Sequence, residues 1–282
     1  MKLIVQPRDG VKPLVDAINQ AKKSIAIVVF RFDLKELEAA LQAAIKRGVA
    51  VQALIAHTSG GGEKQLRKLE SRLLAAGALV ARTDNDMVRY HGKLLLIDGE
   101  TLFVLGFNYT ALDIRRSRSL GIVTRSGPVV REAKRLVAAD ADRSQKFRPA
   151  RTDLVISPEN ARERLRRFIR KARQELLIYD AGLSDDDMLT ELKKRIEAGV
   201  KIRVLGRIEK KWQDAGFKVK KLSRRLHVRA MVRDGRRAFV GSQSLRRLEL
   251  DERREVGIVI RELKIVKEIE RVFYEDWREK KS

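Results

Sequence analysis

The sequence predicts an α/β fold made of two similar α/β/α sandwich halves, with a site in the cleft between them. Three observations support this prediction. Strand-like apolar runs alternate with amphipathic helical patterns, the same order of elements recurs in the second part of the chain, and one histidine-containing segment occurs in both parts. We expect the first half at residues 1–150 and the second at residues 151–282, related by an approximate two-fold axis.

The first half alternates between strands and helices. Apolar and β-branched side chains run together in four predicted strands, at residues 2–6, 24–32, 49–56 and 79–82. Apolar residues recur every three or four positions in four predicted helices, at residues 11–23, 34–47, 63–76 and 129–141. Residues 57–62 (HTSGGG) are interpreted as a flexible loop, because the Lys-Ser/Thr pair of a nucleotide-binding P-loop does not follow the glycines. At the mouth of a cleft, this loop could act as a gate.

The second half repeats these elements in the same order. The predicted strands are at residues 154–158, 175–179 and 200–205, and the predicted helices are at residues 161–173, 188–198 and 263–277. Within the first of these helices, Leu165, Phe168 and Ile169 are surrounded by arginines, a pattern that also occurs in membrane-surface helices. We interpret it as a packing helix, because its counterpart in the first half has an ordinary amphipathic pattern.

The segment that recurs in both halves carries two of the only three histidines in the chain. The two copies keep the spacing of a histidine, a cation two residues later and an aspartate seven residues later: His91, Lys93 and Asp98 in the first, and His227, Arg229 and Asp234 in the second. We expect each segment to be a strand, in which residues two apart point to the same face, so that histidine and cation lie together. A two-fold axis would place the two histidines opposite one another in the cleft.

Two facing imidazoles with two cations suit a phosphate diester. The cations can bind the non-bridging oxygens, a neutral imidazole can attack phosphorus, and a protonated imidazole can give its proton to the leaving alkoxide. Phosphoryl transfer depends mainly on positioning and on charge neutralisation, so these groups supply what the reaction needs without a metal. We therefore predict a phosphodiester substrate, no cofactor and no metal.

The composition narrows the class of protein. The formal net charge of +24 predicts a polyanionic partner, such as nucleic acid, an anionic membrane surface or a phosphorylated substrate. The absence of cysteine excludes disulfides and thiolate metal sites. The N-terminus has no signal-peptide pattern, and no apolar run reaches the roughly 18 residues of a membrane span. We expect a cytoplasmic monomer that can associate peripherally with a membrane surface.

The two copies resemble the doubled His-x-Lys-x4-Asp-x6-Gly-Ser-x-Asn signature of the phospholipase D superfamily, including its cardiolipin synthase-like members. HGKLLLID followed by LGFN carries the first match, and HVRAMVRDGRRAFVGSQS carries the second. The resemblance covers nearly the whole chain. It implies a shared cleft, a covalent phosphohistidine intermediate and no required metal.

The resemblance also implies which residues form the site. The catalytic set that it implies is His91, Lys93, Asp98, Asn108, His227, Arg229, Asp234 and Glu255. The phosphate-binding set that it implies is Lys93, Asn108, Arg229, Ser242 and Ser244. The second copy departs from the signature, since Arg229 replaces the lysine and Ser244 replaces the asparagine. In the first copy, Gly106 stands where the family has serine.

The family pattern includes an acidic residue downstream of each motif, which orients the histidine of the other half. Glu255 fits that place for His91, whereas the corresponding residue of the first copy is Ser119 and supplies no carboxylate. This asymmetry leads us to predict His91 as the nucleophile and His227 as the general acid. The two motif aspartates precede Gly99 and Gly235, and we interpret them as structural residues of turns.

The substrate class stays open between three alternatives. Arginines follow each motif and are expected to flank the cleft mouth: Arg115, Arg116, Arg246 and Arg247. They could bind phospholipid headgroups, as in cardiolipin synthases and phospholipases, or a nucleic-acid backbone, as in nucleases of the same superfamily. We favour phospholipid, because no aromatic residues that could stack on bases are interleaved with the basic runs. The third alternative is a polyanion-binding module that has lost catalysis.

Overall fold

The structure is a computed structural model that describes residues 1–58, 60–142 and 147–279. Its first half has eight strands and five helices within the described residues: β1 (Lys2–Gln6), α1 (Lys12–Gln20), β2 (Ser24–Val29), α2 (Lys35–Lys46), β3 (Ala50–Ile55), α3 (Glu63–Ala75), β4 (Leu79–Arg82), β5 (Arg89–Tyr90), β6 (Leu94–Ile97), β7 (Thr101–Leu105), α4 (Ala111–Arg116), β8 (Ser117–Thr124) and α5 (Gly127–Ala141). The loop at residues 57–62 was predicted as a unit, and its Ser59 lies outside the described residues.

The second half repeats this order element by element. It contains β9 (Leu154–Ser157), α6 (Ala161–Arg170), β10 (Glu175–Leu183), α7 (Asp186–Glu197), β11 (Lys201–Ile208), β12 (Lys218–Lys220), β13 (Arg225–Leu226), β14 (Arg229–Arg233), β15 (Arg237–Gly241), α8 (Arg247–Asp251), β16 (Arg253–Ile260) and α9 (Leu263–Arg278). A single 3-10 turn, Lys210–Trp212, stands in the place of α3. The predicted α/β fold with two like halves is confirmed, and we keep the division at residues 150 and 151 as a proposal.

Each half is built on one mixed sheet. The first sheet has the order β1-β8-β7-β6-β2-β3-β4, and the second has the order β9-β16-β15-β14-β10-β11-β12. The strands β2, β3 and β4 are parallel, and β6 pairs with β2 in the antiparallel direction. Side chains alternate between the two faces of such a sheet. In β6, Leu94 and Leu96 accordingly face one core, and Leu95 and Ile97 face another.

Three apolar cores hold these layers together. The helices α1, α2 and α3 cover the outer face of the first sheet, and α6, α7 and α8 cover the outer face of the second. The inner faces of both sheets share one core with α5 and α9. The buried positions of α6 include Leu165, Phe168 and Ile169, which confirms the prediction of a packing helix.

The halves exchange a short strand in each direction. The strand β5 of the first half pairs with β16 of the second, and β13 of the second pairs with β8 of the first. This exchange holds the backbone of both motif histidines. The N–H of His91 donates to the carbonyl of Arg254 at 2.7 Å, and the N–H of His227 donates to the carbonyl of Arg118 at 3.0 Å.

The predicted single strand through the motif histidine was wrong in its extent. The strand β6 begins at Leu94, so His91 and Lys93 lie in the connection between β5 and β6. The same holds in the second half, where His227 lies between β13 and β14. The reason is the exchanged strand, because the chain must turn from the sheet of one half into the sheet of the other at the histidine.

Both motif aspartates lie in turns, as their interpretation as structural residues predicts. Asp98 has φ of 54° and accepts hydrogen bonds from the backbone N–H groups of Lys22, Lys23 and Ser24. Asp234 has φ of 52° and makes the equivalent contacts in the second half, at the start of β10. These turns stand at the far end of β6 and β14 from the histidines. The structure therefore does not bring the two aspartates into the cluster around His91 and His227.

Candidate active site

The two motif segments meet where β7 and β15 approach one another. Gly106 lies at this approach: a Cβ atom there would be 2.8 Å from the carbonyl oxygen of Leu120 and 3.0 Å from that of Gly241. Distances of this size leave no room for a side chain, which explains why glycine replaces the serine of the family signature. The close approach also brings the charged groups of the two halves within reach of one another.

His91 is held by a carboxylate from the other half. Its Nδ1 lies 2.8 Å from Oε2 of Glu255, and Nζ of Lys93 lies 2.9 Å from each ring nitrogen. The ring of Phe30 contacts the imidazole edge to face, with 4.4 Å between centroids. The contact with Glu255 favours a neutral ring that donates from Nδ1, so that Nε2 is the acceptor nitrogen and faces Nζ of Lys93. The placement of Glu255 agrees with its predicted role.

His227 is also held by a carboxylate from the other half, which the sequence interpretation missed. Its Nδ1 lies 3.3 Å from Oδ2 of Asp113, on the short helix α4. Asp113 is fully buried and also accepts hydrogen bonds from Asn108 and from Arg225, the latter at 2.5 Å. Ser119, at the place that matches Glu255, supplies no carboxylate, and Asp113 approaches His227 from a different element.

A signal for Asp113 was present in the repeat. Asp113 follows Asn108 by five residues, and Glu249 follows Ser244 by the same interval. Both carboxylates are buried, on α4 and α8 respectively. Comparing the two copies beyond the end of the motif would have identified an acidic position in each half.

The predicted phosphate-binding residues fall into two groups in the structure. Lys93 is fully buried beside His91, and Nη1 of Arg229 donates to the carbonyl of His227 at 3.1 Å. The other three are buried and make hydrogen bonds inside the protein: Asn108 Nδ2 to Asp113 at 2.7 Å, Ser242 Oγ from the N–H of Val256 at 3.1 Å, and Ser244 Oγ to Asp180. The geometry thus brings the two cations to the histidines and uses the three neutral side chains to fix the surrounding loops.

Burial shifts the pKa values around His91. Burial, together with the charges of Lys93 and Arg229, holds the pKa of His91 well below its usual value, so the ring is neutral. Burial also lowers the pKa of Lys93 to about 7 and raises the pKa of Glu255 to about 7, while each partner favours the charged form of the other.

His227 has a different electrostatic environment. Burial, together with the charges of Arg229, Lys93 and Arg225, holds the pKa of His227 well below its usual value, and the nearby charge of Asp113 opposes that shift. Burial would raise the pKa of Asp113, yet the effects of His227, the N–H of Asn108 and Arg225 outweigh it and keep the carboxyl ionised. An ionised partner stabilises a protonated imidazole. Both rings therefore have lowered pKa values, and His227 is the one in which the charge of a carboxylate acts against that lowering.

The part of the chain that the structure describes contains no group of three or more His, Cys, Asp or Glu side chains placed to hold a metal ion. It also contains no helix that is both long and apolar enough to cross a membrane.

The sequence of the chain matches one known protein family over most of its length. The family described as "Cardiolipin synthase, PLD-like domain" matches residues 14–140 and 205–277, which include both histidine motifs. The chain belongs to this phospholipase D-like family. The predicted family resemblance is confirmed. No curated protein gave a match.

Solved structures show the same fold over the whole chain of this phospholipase D-like protein. Polyphosphate kinase from Porphyromonas gingivalis matches with a TM-score of 0.79 at 21% identity, over 99% of this chain and 50% of the kinase. The chain thus spans half the length of that protein. Phosphatidylserine synthase from Haemophilus influenzae matches with a TM-score of 0.68 at 10% identity, over 97% of this chain and 85% of the synthase. The phospholipase D family member Nuc from Salmonella typhimurium matches 52% of this chain and 97% of its own, at 21% identity and a TM-score of 0.47.

Proposed function

We propose that the protein cleaves or transfers phosphate esters in two steps, through a phosphohistidine on His91 and with His227 as the general acid. The observation that carries this proposal is the pair of partly buried histidines, each with a carboxylate oxygen from the other half within 3.3 Å of Nδ1. In both rings Nε2 is then the nitrogen left for chemistry. Catalytic histidines need such an orienting group, because it fixes which nitrogen carries the proton.

In the first step, Nε2 of neutral His91 attacks phosphorus. The N–P bond forms as the bond from phosphorus to the leaving oxygen breaks, and protonated His227 gives its proton to that oxygen. Lys93 and Arg229 neutralise the non-bridging oxygens, a task that requires buried cations beside the nucleophile.

In the second step, His227 is neutral and acts as the base. It takes a proton from water or from an acceptor hydroxyl, whose oxygen then attacks phosphorus, and the N–P bond breaks to restore His91. Water gives hydrolysis and an alcohol gives transfer. The residues of this scheme supply both the proton transfer and the charge neutralisation, so we propose that turnover needs no metal.

A phospholipid is the substrate that we favour. The helix α4 supplies Asp113 and also exposes Leu112, which is 47% accessible, next to exposed Arg116. On the opposite rim, α8 carries Arg247, whose side chain is 82% accessible. Apolar and basic side chains together at the mouth of a phosphate site suit the interface of an anionic membrane. We propose that the protein acts there as a peripheral monomer.

Phosphoryl transfer involving polyphosphate is a second candidate function. The P. gingivalis protein with this fold is a polyphosphate kinase by name. The observation that favours this candidate is the number of cations near His91, where Lys93, Arg229 and Arg253 all lower its pKa. One diester phosphate carries a single negative charge, so three cations suit a more highly charged substrate.

Trapping tests the proposal directly. Phosphorus-labelled phosphatidyl lipid, oligonucleotide or polyphosphate is incubated with the protein in the presence of EDTA, quenched in alkali and digested, and the labelled peptide is mapped. We expect label on His91, none in His91→Ala, and full label in His57→Ala, which replaces the exposed third histidine. Label on no residue with any of the substrates, while anions still bind, would instead support a binding module.

A further inference from the structure

We propose that Arg89 and Arg253 form a second anion subsite beside His91, which binds a second phosphate joined to the reacting phosphate by an anhydride bond. The inference rests on the proposed function in one respect, which is that the first phosphate lies at His91. The substrate class that follows is a diphosphate, whether it is carried on a lipid or free.

The two arginines are brought together by the exchanged strand. In the parallel pair of β5 and β16, Arg89 is the register partner of Arg253. Like charges in register repel one another, and desolvation together with the charge of Arg253 lowers the pKa of Arg89. A pair of guanidinium groups held in this way favours an anion that can bridge them.

Arg89 makes no hydrogen bond or ion pair with any residue that the structure describes, and its Nε is buried without a partner. Its guanidinium lies over the ring of Phe30, with 5.5 Å from Cζ to the ring centroid. The side chain is therefore placed by an aromatic contact that leaves its N–H donors unused. A buried donor without a partner costs free energy, which a bound anion would recover.

In the other half, the arginine at the equivalent position has hydrogen-bond partners. Arg225 occupies the equivalent place there, and its Nη1 donates to Asp113 at 2.5 Å and to Ser117 Oγ at 2.7 Å. In the strand pair that contains Arg89, the register position of Ser117 is taken by Arg253 of the second half, which donates to the carboxylate of Glu249 at 3.2 Å. The exchange of a serine for an arginine adds a positive charge and removes the partner that Arg89 would otherwise have.

The subsite lies immediately next to the proposed reaction centre. The ring of Phe30 contacts His91, and both Nζ of Lys93 and Cζ of Arg89 lie within 5.6 Å of its centroid. Cations grouped around one ring can bind two phosphates only if these are close together. This spacing favours an anhydride-linked pair over phosphates separated by a sugar.

The glycine-rich loop approaches the same arginine. A Cβ atom on Gly60 would lie 2.9 Å from Nη2 of Arg89, so the loop backbone packs against the guanidinium as only glycine permits. Gly60 also has φ of 64°, which disfavours other residues. The sequence had suggested a gate at the cleft mouth, and this contact places the loop beside the second subsite rather than beside His227.

Binding of simple anions tests the subsite without requiring turnover. Calorimetry at fixed ionic strength would compare pyrophosphate with inorganic phosphate for the wild type, Arg89→Met and Arg253→Ser. We expect pyrophosphate to bind the wild type at least tenfold more tightly than phosphate, and each substitution to remove most of that preference, because each removes a charge-assisted contact. Arg236→Ala, in the exposed turn between β14 and β15, removes the same charge and should leave the preference intact.

Further experiments distinguish a lipid diphosphate from a free one, and test whether anion binding depends on catalysis. Label transfer to His91 from tripolyphosphate identifies a free anion, and transfer from vesicles that contain a lipid diphosphate identifies a lipid. His91→Ala should keep the pyrophosphate preference, so a failure of the phosphohistidine scheme would not remove the binding result. Equal affinity for phosphate and pyrophosphate in the wild type would overturn the subsite. Tighter binding of a 5′-phosphorylated dinucleotide than of pyrophosphate would also overturn it, in favour of nucleic acid.

Discussion

Replacing Asp113 by asparagine should weaken the general acid without touching the nucleophile. Oδ2 of Asp113 lies 3.3 Å from Nδ1 of His227, and its negative charge opposes the lowering of the His227 pKa by burial. An opposite charge at this distance shifts a pKa by about 1–2 units, which corresponds to about 1.4–2.7 kcal/mol. Since 1.36 kcal/mol is a factor of ten, the rate of leaving-group departure should fall roughly 10- to 100-fold.

The assay is a comparison of two leaving groups on one phosphodiester. An alkoxide needs a proton to depart, whereas a nitrophenolate departs without one. Asp113→Asn should therefore slow release of the alcohol by the full factor and change release of nitrophenol by less than about threefold. His91→Ala should abolish turnover of both substrates, because neither can form the N–P bond.

Asp180→Asn provides the matched control for Asp113→Asn. Asp180 is equally buried and accepts hydrogen bonds from Ser244 and the N–H of Leu245, but no contact joins it to a histidine in the described residues. We expect Asp180→Asn to destabilise the protein and to change the release of the alcohol and of nitrophenol by the same factor. If Asp113→Asn slowed both substrates equally, or if Asp180→Asn produced the same leaving-group dependence, the assignment of His227 as general acid through Asp113 would be refuted.

The remaining predictions concern stability. Burial lowers the pKa of His227, so the unfolded state binds a proton that the folded state does not. As the pH is lowered below about 6.5, the free energy of unfolding should therefore fall by at most about 1.4 kcal/mol per pH unit. Between pH 7.5 and 5.5, the melting temperature should fall less in His227→Asn than in the wild type. Asp98→Ala should destabilise the protein by about 2–3 kcal/mol, because it removes a cap on three backbone N–H groups at a positive φ, while kcat stays within twofold. Asp276→Asn should cost about 3–5 kcal/mol in chemical denaturation, because it leaves Arg118 buried without its bidentate partner; an unchanged denaturation midpoint would show that the pair is not required.

The apolar periodicity predicted most of the two sheets and their covering helices, but it did not predict the exchanged strands. The strands β5 and β13 are two residues long and pair with the sheet of the other half. No local pattern can indicate a strand that takes its partner from more than a hundred residues away. This is why His91 was expected within a strand and instead lies just after one.

The strands β8 and β16 were missed for a different reason. Each begins with three polar or charged residues that include a buried arginine, Arg118 or Arg254, and only its later part is apolar. Those arginines are paired across the halves, Arg118 with Asp276 on α9 and Arg254 with Asp140 on α5. A charged residue in a strand pattern suggests an exposed position as long as the residue that pairs with it is unknown. The partners lie on the closing helices, 158 and 114 residues away in sequence.

The site residues that belong to the motif could be predicted from the sequence, whereas those on short helices could not. The motif led to His91, Lys93, His227 and Arg229, which the structure groups together. Asp113 lies on α4, a helix of six residues, which is too short to show a helical period. Its contact with His227 depends on the exchange that places β13 beside β8, so it follows from the arrangement of the two halves rather than from either sequence copy.

The reciprocal exchange also explains why two similar motifs can hold histidines in different states. Each histidine takes its backbone partner and its carboxylate from the other half, so the environment of His91 is set by residues near Glu255 and that of His227 by residues near Asp113. The first environment contains a carboxyl with a pKa of about 7 among cations, which favours a neutral ring. The second contains an ionised carboxylate, which opposes the lowering of the His227 pKa by burial and by the nearby cations. In the proposed mechanism, divergence between the two copies would assign the roles of nucleophile and acid. The loss of the standard lysine and asparagine in the second copy would then be compatible with catalysis, because that copy would mainly have to carry the proton.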